Sequence, residues 1–253
     1  VSTRPFLFFV TMGLFSVLAL SFVLRQLPGL RWPTEEEGPM AGLVLAITLA
    51  PVVVWAGVVF FLTLASDGAR AAFGEVGGRM LLVLPALAIV AVAAFSAALR
   101  LRQGIQPATA FPLLLVAMAF YLLAGAELFY IVDVFGNRMN TVFKLYYQSW
   151  ILLSLGASFA LYYLAAGFAR SGPLIRGAAY IWVTLLAVAV GSVLYYPAAA
   201  TYTKVSGQHG GWTLDGLNYL QQQNPAELQA INWLRRNRKS QDRILEAVGS
   251  DYI

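Results

Sequence analysis

Long apolar stretches alternate with short polar segments along most of the chain. Six of these stretches are long enough to cross a hydrocarbon layer of roughly 30 Å, which takes about 20 helical residues. None shows the two-residue alternation that is typical of transmembrane barrel strands. The pattern therefore predicts an all-α polytopic membrane protein with about six transmembrane helices. The predicted spans cover approximately residues 5–24, 40–66, 80–99, 111–132, 145–168 and 177–199.

The charged residues are placed as this prediction requires. The chain of 253 residues has 17 Lys and Arg and 12 Asp and Glu, which together make up 11% of the sequence. A soluble domain carries roughly 25%, so there is too little charge here to cover a globule. All charged residues except Glu127 lie outside the predicted spans. We attribute the formal net charge of +5 to cationic loop anchors and expect no nucleic-acid partner.

The composition changes after the sixth span and predicts two regions. Residues 1–199 form the transmembrane domain, and residues 200–253 are the start of an extramembrane α/β region. Within this region, Asn224 to Glu227 has the features of a helix N-terminus, with a capping residue, a proline and a glutamate. Apolar residues at helical spacing extend the predicted helix to about Arg238. A short strand is expected over 243–249.

The ends of the chain and its basic residues bear on its membrane topology. The first residue is Val1 and the chain stops in the run that ends at Ile253, so we expect a fragment of a longer protein.

Six spans put both termini on one side. Lys and Arg near the membrane are equally numerous on the two sides unless Arg138 and Lys144 serve a site. Discounting those two, the positive-inside rule favours a multi-pass protein of the cytoplasmic membrane with extracytoplasmic termini.

The strongest chemical signal lies between the fourth and fifth spans, in residues 133–150. If this segment is helical from about Asn137, one polar stripe enters the fifth span, where polar groups are expected to face protein or a water-filled cavity. The stripe consists of Asn137, Thr141, Lys144 and Gln148, with Tyr147 beside Gln148; Arg138 and Asn140 lie off it, near the helix entry. Cations and amide donors at a helix N-terminus suit a phosphate or diphosphate. The alternative is an ordinary interfacial loop.

Two carboxylates are the candidate catalytic residues of this region. Glu127 lies near the end of the fourth span and Asp133 follows it in the loop. Because a lone carboxylate in lipid is costly, Glu127 is expected to be buried, paired or protonated. It forms a carboxylate cluster with Asp133 opposite Arg138 and Lys144, or it only closes a structural ion pair with one of those cations. The sequence leaves both interpretations open.

Few other residues suggest a cofactor. The chain has one histidine, His209, and no cysteine, which excludes a Cys/His zinc site and a cysteine nucleophile. His209 lies in a glycine-rich segment and is expected to be a solvated loop residue. The sequence contains no haem motif and no nucleotide-binding glycine loop. It leaves a requirement for a divalent cation open.

The segment from Asp133 to Trp150 resembles the YYY family of bacterial and archaeal membrane proteins. The resemblance extends over about residues 111–253, and its most specific part is Arg-Met-Asn-Thr-Val-Phe-Lys at 138–144. Looser matches lie at 212–216, 231–234 and 244–252. Members of the family are similar to polyprenyl-phosphate-dependent glycosyltransferases of the GT-C class. The Tyr-Tyr-Tyr motif and the acidic catalytic loop belong to an N-terminal half that this chain does not contain.

The resemblance implies a transferase-like membrane core with an outward-facing site. Arg138 and Lys144 would hold the phosphate of a polyprenyl-linked sugar, and Asn137, Asn140, Thr141, Tyr147 and Gln148 would orient donor or acceptor groups. The expected partners are membrane lipids and this sugar donor. Two alternatives stay open: a non-catalytic helical subunit of a larger membrane complex, and a transporter whose path the polar stripe lines.

Overall fold

Six long helices dominate the computed structural model, and each is long and apolar enough to cross a membrane. The structure describes residues 3–29, 31–65, 70–131, 137–169, 172–206, 215–239 and 241–243, without the side chains of 63–65, 70–78, 169 and 222. The helices are α1 (Pro5–Leu24), α2 (Gly38–Ala65), α3 (Arg70–Gln103), α4 (Ala110–Leu128), α5 (Met139–Ala169), α6 (Pro173–Ser206), α7 (Asn218–Gln223) and α8 (Pro225–Asn237). The described residues include no strand. The predicted all-α polytopic fold is confirmed.

Most helices extend beyond the apolar stretches that predicted them. A helix satisfies its backbone groups internally, so it continues past the hydrocarbon layer wherever the flanking sequence permits. Helix α3 takes in Arg100 and Arg102, and α5 begins at Met139, within the polar segment before the fifth apolar stretch. Helix α4 ends earlier than expected because the backbone becomes extended at Phe129. This early end leaves room for the loop that leads into α5.

Helix α4 is the centre of the bundle. It packs between α3 and α5, and α1 packs against α5. More than half of the span that includes α4 is buried (56%), whereas only 6% of the spans of α2 and α6 is buried. The fully buried side chains of Leu113 and Val116 on α4 belong to the same core as Val83 of α3 and Leu153 of α5. The outer faces of the bundle are apolar, as contact with lipid requires.

Helices α4 and α5 pack closely at Gly156. A Cβ atom at this position would lie 2.9 Å from Cγ2 of Val116, closer than real Cβ contacts. Because glycine has no side chain, α4 and α5 can pack closely here, and a larger residue at position 156 would push them apart. Small residues allow this kind of helix contact in membranes, where packing rather than water drives association.

Polar contacts fix the α1–α2 connection to the end of α3. Glu37 is buried and pairs with both terminal nitrogens of Arg31, at 3.0 and 2.9 Å. Arg100 donates to the side chain of Gln26, which in turn donates to the carbonyl of Phe22 at 2.8 Å. These contacts all lie at the end of the bundle opposite to the end of α4.

The chain separates into two compact units, residues 1–190 and residues 191–253. In the second unit, Asn224 caps α8: its Oδ1 accepts from the Glu227 N–H at 3.3 Å, and its Nδ2 donates to Glu227 Oε2 at 3.0 Å. The predicted N-terminus of this helix is confirmed. The predicted domain boundary at 199/200 stays a prediction. His209 and residues 244–249 of the expected strand lie outside the described residues.

Candidate functional site

Glu127 and Arg138 form a buried ion pair where α4 ends and α5 begins. Arg138 Nη2 lies 2.8 Å from Glu127 Oε1, and Nη1 lies 3.1 Å from Oε2. The side chain of Glu127 is 3% exposed and that of Arg138 is 18% exposed. Nη2 also donates to the carbonyl of Ala126 at 2.8 Å. Arg138 thus binds the carboxylate in the two-pronged geometry that suits a guanidinium, and it also satisfies a carbonyl at the end of α4.

Two further groups donate to the same carboxylate. Tyr146 on the second turn of α5 donates its hydroxyl to Glu127 Oε1 at 3.0 Å. The backbone N–H of Thr3, just before α1, donates to Oε2 at 3.2 Å. The hydroxyls of Thr3 and Tyr146 also lie 3.0 Å apart. Residues from the starts of α1 and α5 and the end of α4 therefore converge on Glu127.

These contacts occupy the Glu127 carboxylate completely. A carboxylate has about four lone-pair directions, and here Arg138 takes two, Tyr146 one and Thr3 one. Arg79 approaches the backbone carbonyl of Glu127 at 3.4 Å. The geometry corresponds to the ion pair, one of the two interpretations that the sequence left open. Asp133, the other candidate carboxylate, lies outside the described residues.

The residues of the predicted polar stripe differ in burial. Thr141 is buried and accepts from the backbone N–H of Ile131 at 2.7 Å. Asn137 precedes the helix, and its Oδ1 accepts from the Met139 N–H at 2.8 Å. Lys144 and Gln148, by contrast, are exposed. Thr141 and Gln148 are seven residues, nearly two turns, apart and so lie on one side of α5. They differ in burial because Thr141 contacts the segment that follows α4, at Ile131.

The exposed polar residues define what we call the outer face of α5: Lys144, Tyr147 and Gln148. The side chain of Tyr147 is 61% exposed. Asn140, one turn before Lys144, is half-buried. Gln148 lies about 14 Å along the helix axis from Met139, well inside the candidate span that runs from Met139 to Phe168. A polar side chain at that depth is costly against lipid, so this face suits a polar ligand, water or another protein segment.

Tyr146 was missed as a site residue. It is adjacent to Tyr147 and chemically identical to it, but in the structure Tyr146 is half-buried and Tyr147 is exposed. The available signal was its spacing from Ser149 and Leu153, which recur at i+3 and i+7 and are both buried. Ser149 donates to the carbonyl of Ala119 on α4 at 3.1 Å, so this face is the one that packs inward.

The described ranges contain no group of three His, Cys, Asp or Glu side chains that could hold a metal ion. The Glu127 carboxylate is instead used in contacts between helix ends.

Comparison with known proteins gives one match. The model of a family described as "Uncharacterized membrane protein (DUF2298)" matches residues 1–153. This range covers α1 to α4 and the first half of α5, and therefore includes Glu127, Arg138, Tyr146 and the outer face of α5. No curated protein and no solved structure matches the chain significantly.

Proposed function

Since the chain belongs to the DUF2298 family of membrane proteins, we propose that its helical core binds the phosphate of a polyprenyl-linked sugar. In this proposal the core is part of a GT-C-like glycosyltransferase, as the likeness to the YYY family implies. The protein lies in the cytoplasmic membrane with its termini outside, and the phosphate binds at the outer face of α5.

The observation that supports this proposal best is the exposure of Lys144, Tyr147 and Gln148 on a helix that crosses the membrane. Lys144 has no ion pair with any described residue, so its ammonium group is available to an anion. The amide of Gln148 lies one turn further along the same face. An ammonium, an amide and a phenol on one helix face are suitable donors for a phosphate and an adjoining sugar.

Arg138 has a different role in this proposal from the one that the resemblance implied. Its guanidinium is already bound to Glu127, so it positions the start of α5 and does not hold the donor phosphate. The side-chain oxygen of Asn137 is also already in a hydrogen bond, because it accepts from the Met139 N–H. Because the carboxylate of Glu127 has no free lone pair, Asp133 is the better of the two acidic candidates.

The experiment that tests the proposal compares Lys144→Ala with Phe143→Ala in nanodiscs. Phe143 is the preceding residue and is 73% exposed, so its substitution removes a similar amount of exposed surface without removing a charge. We expect Lys144→Ala to weaken the binding of polyprenyl phosphate about tenfold or more, since hydrogen bonds to charged groups contribute about 1.5–3 kcal/mol. Phe143→Ala should bind like the wild type. Equal affinities for all three proteins would reject the proposal.

A second function, a non-catalytic subunit of a larger membrane complex, is favoured by two observations. The Glu127 carboxylate is fully occupied, and the spans of α2 and α6 leave most of their apolar surface uncovered. For a subunit, we expect the protein extracted from its native membrane to migrate with other proteins at a fixed stoichiometry. Lys144→Ala would then alter neither lipid-phosphate binding nor that assembly.

A further inference from the structure

Helix α2 contains a proline near its middle. Pro51 has no N–H, so the carbonyl of Ile47, four residues earlier, lacks the donor that a helix normally provides. The interruption lies within the candidate span that runs from Glu35 to Leu62. In hydrocarbon no water is present to satisfy a bare carbonyl. The carbonyl of Ile47 therefore requires a donor from another part of the protein.

Tyr121 of α4 is that donor. Its hydroxyl donates to the Ile47 carbonyl at 3.1 Å, across the contact between α4 and α2. The side chain of Tyr121 is half-buried and packs against the hydrophobic core, which holds its ring in place while the hydroxyl reaches α2. One hydrogen bond from α4 thus replaces the bond that Pro51 removes from α2.

The residue after Ile47 adds a second cause of bending at the same point. Thr48 is buried, and its hydroxyl donates to the carbonyl of Val44, four residues earlier, at 2.8 Å. A threonine bond of this kind often bends a helix, and a proline inside a helix is a common cause of a sharp kink. Thr48 and Pro51 lie within one helical turn, so bending of α2 is concentrated there.

The two halves of α2 are attached to the bundle in different ways. At the start of the helix, Arg102 of α3 donates to the backbone carbonyl of Glu36 at 2.7 Å, which ties the first half to the end of α3. Beyond the proline, the side chains of Val52 and Trp55 pack against the core, whereas most of the others are exposed. The second half is therefore held by apolar contacts, which are not directional.

We propose that Pro51 is a hinge in α2 and that the hydroxyl of Tyr121 is the latch that holds it closed. With the hydrogen bond to Ile47 in place, residues 52–62 lie against the bundle. When this bond breaks, the second half of α2 swings outward and opens the bundle laterally towards lipid, a hinge movement of a kind that proteins use as a switch. The hinge involves α2 and α4 and does not depend on the function proposed for the outer face of α5.

The test measures distances between two spin labels on the full chain in nanodiscs. The sequence contains no cysteine, so labels attach only where a cysteine is introduced. The reporting pair is Val58→Cys on the second half of α2 and Met118→Cys on α4, both at exposed positions. We expect Tyr121→Phe to enlarge the population with the longer distance about fivefold, the ratio that corresponds to the net contribution of one hydrogen bond. The same distribution in Tyr121→Phe and in the wild type would reject the latch.

A second label pair locates the movement. Leu43→Cys lies on the first half of α2, also at an exposed position, and is combined with Met118→Cys. This distance should be the same in the wild type and in Tyr121→Phe, because the first half does not move. If both distances lengthen together, α2 leaves the bundle as a whole, and Pro51 is not a hinge.

Removing the proline tests whether the effect acts through the Ile47 carbonyl. Pro51→Ala supplies an N–H to this carbonyl, so Tyr121→Phe should have no effect in that background. Pro85→Ala removes the proline inside α3 and gives Ile47 no new donor, so Tyr121→Phe should keep its full effect there. An equal effect of Tyr121→Phe in the Pro51→Ala and wild-type backgrounds would overturn the proposal.

Discussion

The guanidinium of Arg138 binds the buried carboxylate of Glu127 through both terminal nitrogens, at 2.8 and 3.1 Å, and so joins the end of α4 to the start of α5. The two residues are only eleven positions apart. Yet the carboxylate also accepts from Thr3, at the start of the described chain. The pair therefore fixes the relative positions of three helix ends, and this makes it a determinant of stability as well as a candidate for function.

Replacing Arg138 alone should destabilise the protein strongly. In Arg138→Ala, the Glu127 carboxylate stays buried without its cation, a change that costs about 3–5 kcal/mol in buried pairs. We expect a loss of this size in the free energy of unfolding, measured by denaturant titration in micelles.

A double substitution serves as the control for that experiment. Glu127→Gln combined with Arg138→Met removes both charges, so it should lose less stability than Arg138→Ala alone. If the double variant were less stable than Arg138→Ala, the loss would come from removing the ion pair itself and not from leaving the Glu127 carboxylate unpaired.

Tyr146 and Tyr147 should respond differently to the same chemical change. Tyr146→Phe removes a hydrogen bond to the buried carboxylate, and bonds to charged groups contribute about 1.5–3 kcal/mol. Tyr147→Phe changes an exposed side chain and should alter the free energy of unfolding by less than about 0.5 kcal/mol. The comparison uses the same denaturant titration, and equal effects of the two substitutions would contradict the role assigned to Tyr146.

Gly156 and Gly167 form a matched pair on α5. A Cβ atom at Gly156 meets Val116 at 2.9 Å, whereas one at Gly167 meets nothing within 4 Å. Gly156→Ala should destabilise the protein by about 1–2 kcal/mol, because overpacking in a closely packed contact costs about 1–3 kcal/mol and exceeds the helix preference for alanine. Gly167→Ala should be neutral or stabilising by up to about 1 kcal/mol.

A compensating change identifies the cause of the Gly156 effect. Truncating Val116 to Ala in the Gly156→Ala background removes Cγ2, the atom that collides with the added methyl group. The two changes together should therefore cost less than the sum of the single changes. Strict additivity in the unfolding titration would mean that α4 and α5 do not meet here as described.

Asn224 should stabilise α8 through its capping contacts. Asn224→Ala removes the acceptor for the Glu227 N–H, and the loss of such a cap costs about 0.5–2 kcal/mol of helix stability. We expect faster hydrogen exchange of the α8 amides, measured by mass spectrometry, with the exchange of α1 to α5 unchanged. Asn224→Asp retains a capping oxygen and should preserve most of the protection.

The sequence by itself predicted the spans closely because lipid imposes a simple rule. A segment of about 20 apolar residues has to be helical in hydrocarbon, since no water is present to satisfy its backbone groups. Helix α1, for example, runs from Pro5 to Leu24 as expected. The start of α8 was predictable for a similar local reason, because a cap, a proline and a glutamate act within one helical turn.

Only the tertiary structure decided which face of each helix is buried. The residues of the polar stripe recur at helical spacing, yet Thr141 is buried against the segment after α4 while Lys144 and Gln148 are exposed. In a membrane, both the protein interior and the surrounding lipid are apolar, so hydrophobicity does not mark the inward face as it does in water.

For the same reason, the sequence pointed to Glu127, Arg138 and Lys144 as one group, whereas the structure pairs the first two and separates Lys144 from them. In an apolar sequence the few charged residues are the candidates for a site or a structural ion pair, because each buried charge requires a partner. Which partner it finds depends on how helix ends meet in space. Here that packing brings Arg138 and Tyr146 to Glu127 and leaves Lys144 exposed.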